Sequence, residues 1–177
     1  AEVTPHHLIL TEELARTYDP RYKVNPPLRT ADDVEAVRAG LADGTIDAVA
    51  TDHAPHARED KDCEWAAGAF GMLGLETAFS VVMETMVVEG RLDWHGVADR
   101  MSVRPARIAR IADQGRPIEV GEPATLVVVD PAGTWRVDAD LSASRSANTP
   151  FAGREFPGRV LHTILRGRPT VIDGVLT

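Results

Sequence analysis

Apolar positions along this chain change period several times, and each change marks an element. In T-A-D-D-V-E-A-V-R-A-G-L-A-D-G, Val34, Val37 and Leu41 recur at helical spacing. Thr30 with Asp33 three residues on has the form of a capping box, Asp standing where Glu is usual, and Gly44 closes the unit. The short apolar run I-D-A-V-A, residues 46–50, predicts a strand. Residues 75–88 are nearly all apolar and predict a buried helix. A second helix is expected at about 93–101, with a shorter one in V-R-P-A-R-I-A-R-I after it.

The flanking stretches are less regular. V-T-P-H-H-L-I-L reads as a short strand or strand end that runs into Thr11, and T-E-E-L-A-R then puts acids in a first helical turn. Y-D-P-R-Y-K-V-N-P-P-L-R carries three prolines and reads as a polar loop. Residues 57–73 form a long loop, charged first and glycine-rich later. Around Gly121 the texture becomes short β-rich runs broken by Gly, Pro and Asp, as in G-E-P-A-T-L-V-V-V-D-P. The earlier alternation of helix, strand, polar loop and helix is the rhythm of an α/β barrel or doubly wound sheet. Both folds place their chemistry at the carboxyl ends of strands.

Composition narrows the choices. Hydrophobic content of 44% and charged content of 26% over 177 residues are those of a soluble globular protein. The net charge of -8 and the lack of any basic patch argue against nucleic acid. No apolar run approaches the ~20 residues that span a bilayer, so no membrane association is expected. The opening A-E-V-T-P-H-H has neither a signal peptide's features nor an initiator Met, so residue 1 is not expected to be the natural start. A single cysteine, Cys63, rules out an internal disulfide framework and fits a reducing cytoplasm; it reads as a surface-loop thiol.

Candidate chemistry gathers where the 46–50 strand ends, in T-D-H-A-P-H, residues 51–56. Asp52 there can bind a metal, carry a proton, or simply cap a loop, and its neighbours leave these open. His53 and His56 form a bare H-x-x-H, and His53 serves as readily to orient the loop. His6 and His7, on a strand, would face opposite ways, so one at most meets a given pocket. Asn25, stiffened by two following prolines, suits a fixed hydrogen bond or a turn. Arg29 suits a carboxylate clamp or an ion pair. His95 and His162 have no partner at ligand spacing and read as structural or surface residues. G-A-F-G-M-L-G-L-E-T, residues 68–77, sets three glycines before a helix, either for backbone approach to an anion or as a flexible connector. No G-K-[ST] follows, so it is not a P-loop. Trp65 and Phe70 cover a pocket mouth or anchor that loop.

E-V-T-P-H-H-L, V-N-P-P-L-R, D-G-T-I-D-A-V-A-T-D-H-A-P-H and G-L-E-T, in this order, resemble dihydroorotases of the longer bacterial type, in the amidohydrolase superfamily. G-E-P-A-T-L-V-V-V-D, N-T-P-F-A-G and V-L-H-T-I-L-R-G extend the likeness over almost the whole chain. The resemblance implies an α/β fold: the C-terminal part of a (β/α)8 amidohydrolase barrel over 1–115, with an appended small β domain over 116–177. It implies zinc-dependent, reversible cyclisation of carbamoyl aspartate to dihydroorotate in pyrimidine synthesis, in the cytoplasm. Asp52 matches the aspartate that binds one metal and shuttles a proton to the ring nitrogen. Asn25 matches a substrate-binding asparagine, His56 the histidine that holds the substrate carboxylate, and Phe70 and Gly71 the loop backbone that contacts substrate.

The pattern is incomplete in one respect. The family's H-x-H pair and its other metal ligands are absent, and E-V-T-P-H-H belongs to the seventh-strand region that follows them. The remaining ligands for one or two zinc ions are therefore expected outside this chain, on an N-terminal remainder of the same protein, and the 177 residues alone are expected to be inactive. A homodimer is expected, with aspartate carbamoyltransferase a further partner. Two other readings stand beside this one: a metal-free scaffold for that transferase, and a related cyclic amidase such as allantoinase or hydantoinase.

Overall fold

The computed structural model describes residues 1–177. β1 (Glu2–Val3) and β2 (Ala48–Val49) pair in parallel, Glu2 beside Ala48 and Val3 beside Val49. The return between them is made by α1 (Ala31–Asp43). Its expected capping box is complete: the Thr30 hydroxyl accepts from the Asp33 N–H, and the Asp33 carboxylate accepts from the Thr30 N–H. Gly44, at φ 92°, ends the helix. Val34 and Leu41 are buried, and Val37 packs half-buried against the core.

β1 is shorter than the sequence suggests. Pro5 has no N–H to give a ladder, and the chain turns at once into a 3-10 turn, His6–Leu8. His6 and His7 therefore do not alternate across a strand. Their rings lie together, centroids 4.6 Å apart, with His6 buried and His7 half-buried. Glu12–Thr17 is a 3-10 helix and receives no side-chain cap from Thr11. The proline-rich loop contains one short 3-10 turn, Pro20–Tyr22, opened by Asp19 accepting from the Arg21 N–H.

α2 (Arg58–Lys61) sits inside the long loop. α3 (Ala78–Val82) runs on into a π-helical turn, Met83–Val87, within the segment expected to be a buried helix. α4 (Trp94–Ala98) starts from Asp93, which accepts from the Gly96 N–H. A second π-helical turn, Asp99–Val103, carries the chain directly into α5 (Arg104–Ile108). The two helices expected here are thus one continuous run. Pro105 falls in the first turn of α5, and the widened turn ahead of it lets the run pass a residue that cannot donate.

Four antiparallel strands follow: β3 (Leu126–Arg136), β4 (Glu155–Leu165), β5 (Arg168–Ile172) and β6 (Val175–Leu176), in that spatial order. The sheet packs on α3 through a relay of hydrogen bonds. Trp135 Nε1 donates to Ser80 Oγ at 2.8 Å, and Ser80 Oγ donates to the Gly158 carbonyl at 2.8 Å. One apolar core runs through both parts and includes Val3, Leu41, Met72, Val82, Met86 and Phe156. Phe156 is fully buried and meets Phe151 edge to face at 5.2 Å. Each such burial contributes about 1.5–3 kcal/mol relative to exposure. No helix is long and apolar enough to cross a membrane.

Candidate functional site

β2 ends at Val49, and three residues later Asp52 takes a left-handed backbone, φ 47°. That conformation is uncommon outside glycine, although Asp tolerates it better than most residues. It turns the chain sharply off the strand and leaves the Asp52 side chain exposed. Strained backbone of this kind persists where surrounding bonds hold it, and those bonds are present downstream.

His53 makes a single parallel bridge to Met72. Its Nδ1 accepts from the backbone N–H groups of Gly74, at 3.1 Å, and Leu75, at 3.3 Å. His53 orients the loop, the plainer of its two readings. His56 Nε2 donates to the Phe70 carbonyl at 2.8 Å, and the His56 N–H donates to Asn148 Oδ1 at 3.2 Å. Asn148 is buried, and its amide also donates to the Ala54 carbonyl at 2.9 Å. One side chain thus pins both ends of the 54–56 turn.

The glycines of residues 68–74 serve this packing. At Gly71, φ 121°, an added Cβ would lie 2.5 Å from the Ala54 Cβ, and at Gly74 it would lie 2.7 Å from the Thr51 carbonyl oxygen. Only glycine lets the 70–74 segment run this close beside 51–54. These glycines are packing positions rather than a flexible connector.

The backbone on either side of Asn25 is tied down, on one side to this region and on the other to His7. The Gly71 N–H donates to the Lys23 carbonyl at 2.9 Å. On the other side, His7 Nε2 donates to the carbonyls of Pro26, at 3.1 Å, and Pro27, at 3.2 Å, while Thr4 Oγ1 donates to His7 Nδ1 at 2.6 Å. The Asn25 side chain is exposed between these ties. Phe70 is also exposed, its ring 4.7 Å from the Lys23 ammonium. Asn25, His56, Phe70 and Gly71 are therefore linked through one bonded network, and Asp52 opens the loop that carries His56. A groove of about 800 Å³ lies beside His56, between the 19–21, 56–63 and 140–148 segments; Asp52 and Asn25 do not line it.

The other candidates fall outside this network. Arg29 pairs with Asp33 at 3.4 Å on the surface, the ion-pair reading. Trp65 meets Tyr18 edge to face at 6.1 Å. His95 is exposed, and His162 Nδ1 accepts from the Asp173 N–H. Cys63 is half-buried rather than at the surface, its thiol donating to the Asp60 carbonyl at 3.5 Å. His6 has a buried Nε2 without a partner, and burial, then the adjacent His7, push it down to about 3.

Asp52 is an exposed carboxylate, a group able to serve as one metal ligand. The chain brings no three His, Cys, Asp or Glu side chains together as a cluster that could hold one, and a zinc site needs about four ligands. The donor set here fits one corner of a metal site.

Two groups that matter have no strong signal in the sequence. Asn148 lies in N-T-P-F-A-G, a polar loop far downstream. Lys61 lies in R-E-D-K-D, in the charged first part of the 57–73 loop, yet it is buried.

The model for the amidohydrolase family matches residues 8–170. Over the whole chain the sequence is 67% identical to a dihydroorotase of Streptomyces coelicolor, and over 98% of it 58% identical to one of Mycobacterium tuberculosis; the chain spans 41% and 40% of these relatives' lengths. Among solved structures it is similar to an L-hydantoinase (dihydropyrimidinase) from Arthrobacter aurescens, with a TM-score of 0.91 and 30% identity over 99% of the chain and 40% of that protein. A dihydropyrimidinase from Brevibacillus agri shares the fold, with a TM-score of 0.89 at 22% identity. The parallel β1–α1–β2 unit, the aspartate at its carboxyl end and the match over nearly every residue agree: the chain belongs to the amidohydrolase family.

Proposed function

We propose that this chain is the closing part of a dihydroorotase, and that the complete protein interconverts carbamoyl aspartate and dihydroorotate in pyrimidine synthesis. The observation that carries the reading is the 67% identity to a dihydroorotase along all 177 residues. In this reading residues 1–115 complete the barrel and residues 116–177 form a small β domain. The parallel pairing of β1 with β2 and the antiparallel order β3-β4-β5-β6 support that division.

Opening an unactivated cyclic amide needs a strong nucleophile and a polarised carbonyl, and a bound divalent metal, zinc here, supplies both. Asp52 is one of its ligands, the others coming from the remainder of the protein. As an exposed carboxylate at a strand end, Asp52 also carries the proton that the departing ring nitrogen needs. His56 holds the substrate carboxylate. Its Nε2–H is committed to the Phe70 carbonyl, so Nδ1 is the ring nitrogen left to face that carboxylate. Asn25 and the backbone at Phe70 and Gly71 complete the substrate contacts. A homodimer, association with aspartate carbamoyltransferase and a cytoplasmic setting belong to the same reading.

The likeness to an L-hydantoinase structure favours a second cyclic amidase reading. The test is turnover by the complete, metal-loaded protein. Opening of dihydroorotate and closure of carbamoyl aspartate, without hydrolysis of hydantoins, are expected. Hydrolysis of hydantoins alone would establish the second reading, and no turnover of either would leave a scaffold.

A further inference from the structure

Lys61 ends α2 and is buried, although it is a lysine in a run of charged residues. Its ammonium donates to the Pro20 carbonyl at 2.8 Å and the Ala69 carbonyl at 2.7 Å, and reaches the Lys23 carbonyl at 3.5 Å. An ammonium has three N–H groups and no acceptor, so three convergent carbonyls match it. A buried cation is costly unless such partners are provided, and a solvated lysine would avoid the cost. These carbonyls belong to two segments. Pro20 and Lys23 lead into Asn25, and Ala69 leads into Phe70 and Gly71.

We propose that Lys61 is a positioning residue, a buried cationic tie that locks the Asn25 loop to the Phe70 and Gly71 backbone and so sets the distance between the two sides of the substrate site. The proposal rests on the reading of those residues as substrate contacts. The groups facing the ammonium are Lys23, Asp19 and Cys63. Burial, then the Lys23 charge, pull Lys61 down to about 8, and Cys63 and Asp19 act against this. As pH rises through that value the amine keeps two N–H groups and one carbonyl loses its donor. The tie slackens on the alkaline side.

The experiment uses the complete metal-loaded protein, wild type, Lys61→Met and Lys61→Arg. Methionine keeps much of the length and removes every donor. The KM of Lys61→Met for dihydroorotate should rise about tenfold, the scale of a hydrogen bond to a charged group, with kcat and metal content little changed. Lys61→Arg should recover part of the loss. The ratio of variant to wild-type KM should fall only in part as pH passes about 8, because the neutral amine loses one donor and keeps two. Amide exchange at Gly71, whose N–H meets the Lys23 carbonyl, should be faster in Lys61→Met. Unchanged KM with unchanged exchange overturns the proposal. So does a parallel loss of kcat and metal, which would make Lys61 a general structural residue. If Lys61→Met does not fold, Lys61→Gln takes its place, and wild-type KM with wild-type exchange at Gly71 in that variant overturns the proposal equally. A wild type that does not turn over dihydroorotate would fell the functional reading alone, and the exchange comparison would then decide the tie by itself.

Discussion

The carboxyl ends of β1 and β2 and the four-stranded sheet are held in opposite ways. β1 and β2 contribute two residues each, whereas β3 and β4 run for eleven each and form an antiparallel ladder. At the site end the backbone has little ladder to lean on. Its loops are pinned by particular side chains, namely Asn148, His53, His56, His7 and Lys61, and by glycines that tolerate close approach. In the sheet the main chain bonds to itself, and side chains such as Phe156 and Trp135 serve packing. Substitutions at the first region should therefore strike turnover, and those in the second should strike stability.

The largest effect is expected for Asp52→Asn. In the complete protein it should fold and lose turnover by at least ~10²–10⁴-fold, the range for an acid–base group. Steady-state kinetics with a melting curve checks this, and retention of a third of wild-type turnover would make Asp52 a loop cap. Gly71→Ala comes next. Its Cβ would meet the Ala54 Cβ at 2.5 Å, so the two segments must part. A displacement of this size should lower kcat/KM by about 10²-fold. Wild-type kinetics in that variant would mean that the close approach has no bearing on the site.

His56→Ala should cost about 10–150-fold in kcat/KM, from roughly 1.5–3 kcal/mol for a hydrogen bond to a charged group. Most of it should appear in KM, and metal content should hold. Metal loss would make His56 a ligand. Trp135→Phe is the control from the sheet side. It removes the donor to Ser80 and should lower unfolding free energy by about 0.5–1.5 kcal/mol in denaturant titration, with kinetics unaltered. A fall in kcat there would erase the distinction between the two regions.

The elements that could be read in sequence are those whose causes are local. The capping box at Thr30 and Asp33, the helical stripe of α1 and the strand-rich tail each follow from residues within a few positions of one another. The break after Val3 was also local, in Pro5, but the apolar run beyond it masked the turn. The single helical run over 94–108 hid behind Pro105, because a proline normally ends a helix and the π-helical turn that accommodates it has no sequence mark. At the candidate site, Asp52 and His56 are legible as candidates because a strand interior wants no such polar groups and a strand end facing a pocket can use them. Lys61 and Asn148 are not, because burial depends on what the rest of the chain brings over them.

Asn148 carries a consequence for the order in which the molecule is made. It lies 92 positions after His56, whose backbone it holds. A chain emerging from the ribosome exposes Asn25, Asp52, His56 and Phe70 long before that clamp exists. Every expected contact with substrate is then already synthesised, yet the turn that aims them has no buried amide to close on. The 54–56 turn is thus closed late, and a nascent chain halted short of Asn148 would carry that turn without its clamp.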